Sequence, residues 1–309
     1  MTDTTQTGDF DDVDALGAFT TDTRAFDTRV VSDISDAVAV IDEFRNSSDT
    51  TPWVGLDRAD IADRLEELVN DSRLIQQGGL NLCGPAALIC MWAGRDPLAF
   101  AEFATALFNT GTSSIGTLTI EPNSDLLSTD YTSVAAQANT RGADWMVLGA
   151  IRNTTNVFWQ GTWRGDPDQE LAALTRPEEL ADWLTATGIY GTVRNEANWA
   201  TSAGIPHATD LVLSEGRDVA LLIHTNLFNA ARHTDLDHTF IMDQFPNHYV
   251  VALNSPTVAI ADDDNGRFSS GDVLLSVWSW GRDTNNLDLA VPPDAFADNY
   301  FGAIIADLA

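Results

Sequence analysis

Cys83 stands in the run Gln77-Gly78-Gly79-Leu80-Asn81-Leu82-Cys83-Gly84-Pro85-Ala86-Ala87-Leu88-Ile89, where a glycine-bearing loop passes into an apolar segment of small residues. A thiol at the start of a helix can act as a nucleophile. The helix N-terminus carries about half a unit of positive charge and favours the thiolate, and such settings pull a thiol pKa down from about 8.5. Far along the chain, Asn247-His248-Tyr249-Val250-Val251-Ala252-Leu253 places a histidine at the head of a strand-like run. A cysteine, a distant histidine and an upstream glutamine are the parts of an acyl-transfer site: nucleophile, base and oxyanion donor.

The elements that must position these groups can be read from the patterning. Amphipathic helices are expected over 30–45 and from Asp57 or Arg58 to Asn70, the second with Ile61, Leu65, Leu68 and Val69 on one face. A helix is expected from Cys83 to Ala93, closed by Gly94, and another from Pro97 to Phe108. Gly116–Ile120 reads as a strand, and Thr129–Thr140 and Asp144–Arg152 read as helices. Phe158–Trp163 reads as an aromatic loop, and a helix follows Arg176-Pro177 as far as Ala186. Strands are expected at Asp218–Thr225, His248–Leu253, Thr257–Ala261 and Val273–Trp280. Helices first and strands later give an α+β layout. Residues 1–50 form an acidic segment, disordered to about residue 25, and residues 51–309 form one domain.

The chain of 309 residues carries 46 acidic and 16 basic side chains, for a formal charge of −30, and its 44% apolar content supports a sizeable core. Every basic residue is arginine and none is lysine. This is a surface suited to molar salt, where a Debye length of about 3 Å screens self-repulsion, and a halophilic, archaeal source is expected. Without a basic patch, nucleic-acid and anionic-membrane binding are disfavoured. Cys83 and Cys90 are the only cysteines. On one helix they lie two turns apart, about 10 Å, too far for a disulfide, so Cys90 reads as a core thiol. The stretch His233-Thr234-Asp235-Leu236-Asp237-His238 has the wrong spacing for two ligands on one helix face, and Asp262–Gly266 lacks the ligand alternation of a calcium loop. No metal or cofactor is expected. The N-terminal residues lack the basic start and apolar centre of a secretory signal, which implies a cytoplasmic protein or export by a route independent of a signal peptide.

These motifs, in this order, resemble papain-like cysteine peptidases. The resemblance rests on Gln77 with Cys83 in the form Gln-x5-Cys-Gly-Pro-Ala-Ala, on His248 opening its strand, and on Val277-Trp278-Ser279-Trp280-Gly281, which is similar to the Asn-Ser-Trp-Gly strand of that clan. It implies a helical N-terminal half, with the catalytic Cys at a helix N-terminus, packed on a C-terminal antiparallel sheet. It also implies that His248 keeps the Cys83 sulfur ionised, and that the Gln77 amide and the Cys83 N–H form the oxyanion hole. The chain departs from the pattern at one place: Trp278 falls where the orienting Asn belongs. Asp264, sixteen residues after His248, is the candidate third member by spacing, with Ser276, Ser279 or a simple dyad as alternatives.

The implied function is cysteine-dependent amide hydrolysis of protein or peptide substrates. Ala143–Asn153 is similar to segments of papain-like toxin domains, which extends the expectation to a toxin or effector, with secretion or injection machinery or an inhibitor protein as further partners. A transglutaminase or deamidase with the same Cys-His site, and an inactive papain-like binding module, are the alternatives.

Overall fold

The computed structural model describes residues 30–156, 162–165, 169, 173–232, 245–263, 265–279 and 286–309. The expected disorder near the N-terminus, most of the aromatic loop, the His233–His238 stretch, Asp264, Trp280 and Gly281 lie outside these residues.

The architecture is α+β. Helices α1 (Ile34–Asn46), α2 (Arg58–Asn70), α3 (Cys83–Arg95) and α4 (Pro97–Thr110) come first. A short hairpin of β1 (Ser113–Ile115) and β2 (Leu118–Ile120) follows, then α5 (Ser124–Leu127), α6 (Tyr131–Ala138), α7 (Gly142–Thr155) and α8 (Pro177–Ala186). The second half alternates: β3 (Tyr190–Asn195), α9 (Gly204–Thr209), β4 (Arg217–Ile223), α10 (Asn226–Ala231), β5 (His248–Ala252), β6 (Thr257–Val258), β7 (Val273–Trp278), β8 (Asn286–Val291), α11 (Pro293–Asn299) and β9 (Tyr300–Leu308). The main sheet runs β3-β9-β4-β5-β7-β6, with β8 on the other edge of β7, and every pairing is antiparallel.

Both faces of this sheet are covered, which explains why β4 and β5 read as continuous apolar runs rather than as an alternation. Ala220, Leu222, Tyr249, Val251 and Trp278 face the helical core with α2, α3 and α7. Val219, Leu221, Ile223, Val250 and Val277 face a second core with Phe228, Leu289 and Phe296. Helix α1 lies within residues 1–50, yet its Ala37, Ile41 and Phe44 enter the helical core, so that core extends N-terminal of residue 50.

Side-chain caps start most of the early helices. Asp57 accepts from the N–H groups of Ala59 and Asp60 at the head of α2, and Asp96 accepts from Ala99 at the head of α4. Helix α3 differs. Its preceding residue, Leu82, supplies no side-chain cap, which leaves the first N–H groups of the helix available to the cysteine. Gly94 does not end α3 as expected. The helix runs on to Arg95, whose buried guanidinium pairs with Asp218 of β4 at 2.7 Å while Asp218 also accepts from the Tyr190 hydroxyl at 2.8 Å. That ion pair joins the far end of α3 to the sheet.

A second buried pair, Arg64–Asp144 at 2.7 Å, holds the loop before Cys83. Asp144 also accepts from the Gln76 N–H at 2.6 Å, and Arg64 donates to the Leu74 carbonyl. Among the described residues, no helix is long and apolar enough to cross a membrane.

Candidate active site

Cys83 is the first residue of α3 and is half-buried. The loop leading to it is fixed by backbone geometry. Gly78 adopts a left-handed conformation (φ 58°) with the Ala138 carbonyl so close that an added Cβ would lie 2.4 Å from it, and the Gly79 N–H donates to that same carbonyl at 2.8 Å. Asn81 is also left-handed, with φ 57°. The sequence thus turns sharply twice before entering the helix, and the C-terminal end of α6 anchors the first turn.

The helix packs against β5, and the sulfur meets that strand at its beginning. Burial is the largest influence on the Cys83 thiol and pushes it up to about 11, against the backbone N–H groups of Tyr249, Gly84 and Cys83 itself, which are directed at the sulfur and favour the thiolate. The Tyr249 N–H belongs to the peptide bond joining it to His248. The α3 N-terminus therefore meets the backbone at the head of β5, 165 positions on from Cys83 at His248.

His248 is itself buried, pairs across the sheet with Ile223, and meets the Phe228 ring edge-on with centroids 6.1 Å apart. Its Nε2 is hydrogen-bonded to the Ser279 hydroxyl at 2.8 Å. Ser279 follows the last residue of β7, and Trp278 before it donates from its indole to the Arg73 carbonyl at 2.6 Å. That bond ties the end of β7 to the loop carrying Gln77. Burial pushes the His248 imidazole down to about 3.

The structure therefore differs from the expectation that His248 keeps the sulfur ionised. Burial disfavours the charged form of both groups, raising the thiol and lowering the imidazole. At neutral pH both are uncharged. The helix N-terminus, worth at most about 2 kcal/mol in favourable geometry, does not offset the loss of water around the sulfur.

Of the candidate third members, Ser279 is the one whose hydrogen bond to His248 the structure shows. Ser276 is engaged elsewhere, accepting from the Asn254 amide at 3.2 Å and donating to Asp288. Asp264 lies outside the described residues. The serine was legible as one option from its place beside Trp280; the hydrogen bond singles it out.

Gln77 is buried, and its Oε1 has no hydrogen-bond partner. The orphaned atom is an acceptor, at a cost of about 1–3 kcal/mol, whereas an oxyanion donor would be the Nε2 amide of the same side chain. Replacing Gln77 with alanine is expected to lower the rate of amide hydrolysis by about 10²–10³ while leaving KM within about threefold. Steady-state kinetics on a peptide amide checks this, and an unchanged kcat would remove Gln77 from the oxyanion role.

Three residues at the site carried no signal in the sequence. Thr175 lies against Gly84, Arg152 reaches Thr175 from α7, and Glu179 pairs with Arg152 at 2.9 Å. The other described histidines have partners of their own: His207 bridges Tyr300 and Glu196, and the His224 Nδ1 accepts from the Asn226 N–H. Cys90 is buried in the core, where burial raises its pKa well above the ordinary value.

Comparison with protein-family models, with curated proteins and with solved structures gives no match to this chain.

Proposed function

We propose that this chain is a cysteine-dependent amide hydrolase acting on protein or peptide substrates through a papain-like arrangement. One observation carries the reading: the Cys83 sulfur sits at a helix N-terminus against the peptide group that follows His248, and the Nε2 of that histidine is held by Ser279. In this reading His248 is the base that takes the thiol proton, oriented by its bond to Ser279.

The chemistry follows from that placement. As a substrate carbonyl reaches the sulfur, the S–H proton passes to the His248 imidazole and the S–C bond forms. The carbonyl oxygen gains the negative charge, which the Cys83 N–H and the Gln77 amide stabilise. The C–N bond then breaks, the imidazolium gives its proton to the leaving amine, and water resolves the thioester with His248 again as base. Both groups start neutral, so proton transfer accompanies attack rather than preceding it.

One observation favours a second reading, a papain-like binding module without catalysis: a thiol pushed to about 11 is almost wholly protonated at pH 7. Incubating the full chain with an unfolded protein in molar salt, and measuring product masses, separates the two readings. The hydrolase reading expects new peptides from the wild type and a loss of about 10⁴-fold or more in Cys83→Ala. A deamidation mass shift or a crosslink in place of cleavage would mark the related transfer chemistries. Equal cleavage by Cys83→Ala, or an inert wild type, would overturn the proposal.

A further inference from the structure

Thr175 touches both residues whose peptide N–H groups reach the Cys83 sulfur from beyond Cys83 itself. On the α3 side its side chain fills the space beside Gly84: a Cβ placed there would lie 2.3–2.5 Å from the Thr175 Oγ1, Cβ and Cγ2. On the β5 side the Tyr249 hydroxyl donates to the Thr175 carbonyl at 3.2 Å. Thr175 is itself buried, 2% exposed, although it lies between helices in a segment with no regular structure of its own.

A buried charge network holds it there. Arg152 of α7, fully buried, donates to the Leu174 carbonyl at 2.8 Å and to the Thr175 hydroxyl at 3.3 Å. Its other terminal nitrogen meets Glu179 at 2.9 Å, and its guanidinium lies 5.4 Å from the Trp183 ring. Glu179 in turn accepts from the Arg176 N–H at 2.7 Å, at the head of α8. A buried arginine is expensive unless paired and fully hydrogen-bonded. Here its donors reach the Asn156 side chain, Glu179 and two consecutive residues, Leu174 and Thr175, so the guanidinium ties the Thr175 segment to α7 and α8. Chain entropy opposes such ordering, so removing the anchor should let the segment lift and admit water.

We propose that Thr175, fixed by Arg152 and Glu179, is a positioning residue that clamps α3 against β5 and limits the access of water to the half-buried Cys83 thiol. The proposal rests on reading Cys83 as the nucleophile, because only then does the clamp regulate a reaction. Gly84 is then the one residue type that lets the clamp close, since any β-carbon at that position would displace Thr175.

The test is the pH dependence of Cys83 alkylation by iodoacetamide in the folded full chain, followed by peptide mass spectrometry. Thr175→Gly removes the side chain over Gly84, and its titration midpoint should fall by one to two units toward the free-thiol value of about 8.5, which is about a ten- to hundredfold faster reaction at pH 8. Thr175→Val keeps the shape and loses only the hydroxyl, so its profile should stay within about twofold of wild type. Arg152→Gln should move the profile in the same direction as Thr175→Gly. If that variant does not fold, Thr175→Gly decides alone. An unchanged profile in Thr175→Gly, or one equally shifted in Thr175→Val, would overturn the clamp. Alkylation needs no turnover. A chain that responds as described and still cleaves nothing supports the clamp and sinks only the catalytic reading.

Discussion

Replacing His248 with alanine is expected to lower amide hydrolysis by about 10⁴-fold or more, whereas Ser279→Ala is expected to cost only about ten- to a hundredfold. The asymmetry follows from what each group does. In the proposed mechanism His248 carries the proton in both half-reactions, and without it a thiol near pKa 11 must ionise unaided. Ser279 acts through His248 by one buried hydrogen bond of 2.8 Å. A serine hydroxyl both donates and accepts, so it orients the ring without deciding which nitrogen keeps the proton. An amide carbonyl in its place would only accept, fixing the proton on Nε2 of the ring. Ser279→Asn is therefore expected to retain more activity than Ser279→Ala. The measurement is kcat/KM for a peptide amide across pH in the three variants. Equal losses in His248→Ala and Ser279→Ala would contradict this division of roles.

The second large effect is a pH dependence with opposite signs on its two limbs. His248 has a folded pKa of about 3 against about 6.5 unfolded. Below pH 6.5 the unfolded chain binds a proton that the folded chain does not, so the stabilising contribution is present above 6.5 and is lost as pH falls toward 3, at about 1.4 kcal/mol per unit. Cys83 shifts the other way, to about 11. Its contribution is complete below the unfolded thiol pKa of about 8.5 and disappears as pH rises from there toward 11. Chemical denaturation at a series of pH values checks both limbs. His248→Gln should flatten the acid limb and Cys83→Ala the alkaline one. The many exposed carboxylates add their own slope, so each limb is read as the difference between variant and wild type.

Much of the helical half was legible because caps and spacing agreed. Asp57 before Arg58–Asn70 and Asp96 before Pro97–Thr110 mark real helix starts. Gly94 misled, because the pairing of Arg95 with Asp218, 123 positions away, carries α3 one residue past the glycine, and nothing local encodes that pair. In the sheet, β4 and β5 showed as apolar runs. β3, β8 and β9 did not, since Tyr190–Asn195 is largely exposed and β9 is specified by partners on either side. At the site, the types and order of Gln77, Cys83 and His248 could be read from the chain. The electrostatics could not, because burial, which outweighs the helix terminus at Cys83 and lowers the His248 pKa, depends on Thr175, Tyr249 and Phe228 arriving from elsewhere.

The most direct measurement of the account is the rate at which an activated peptide ester acylates the folded chain, read as a thioester on a mapped cysteine in wild type and His248→Ala. The account predicts an adduct on Cys83, none on Cys90, and a fall of about 10³-fold or more without His248. Acylation of Cys83 at the same rate in both proteins would show that the thiol and the imidazole do not work together.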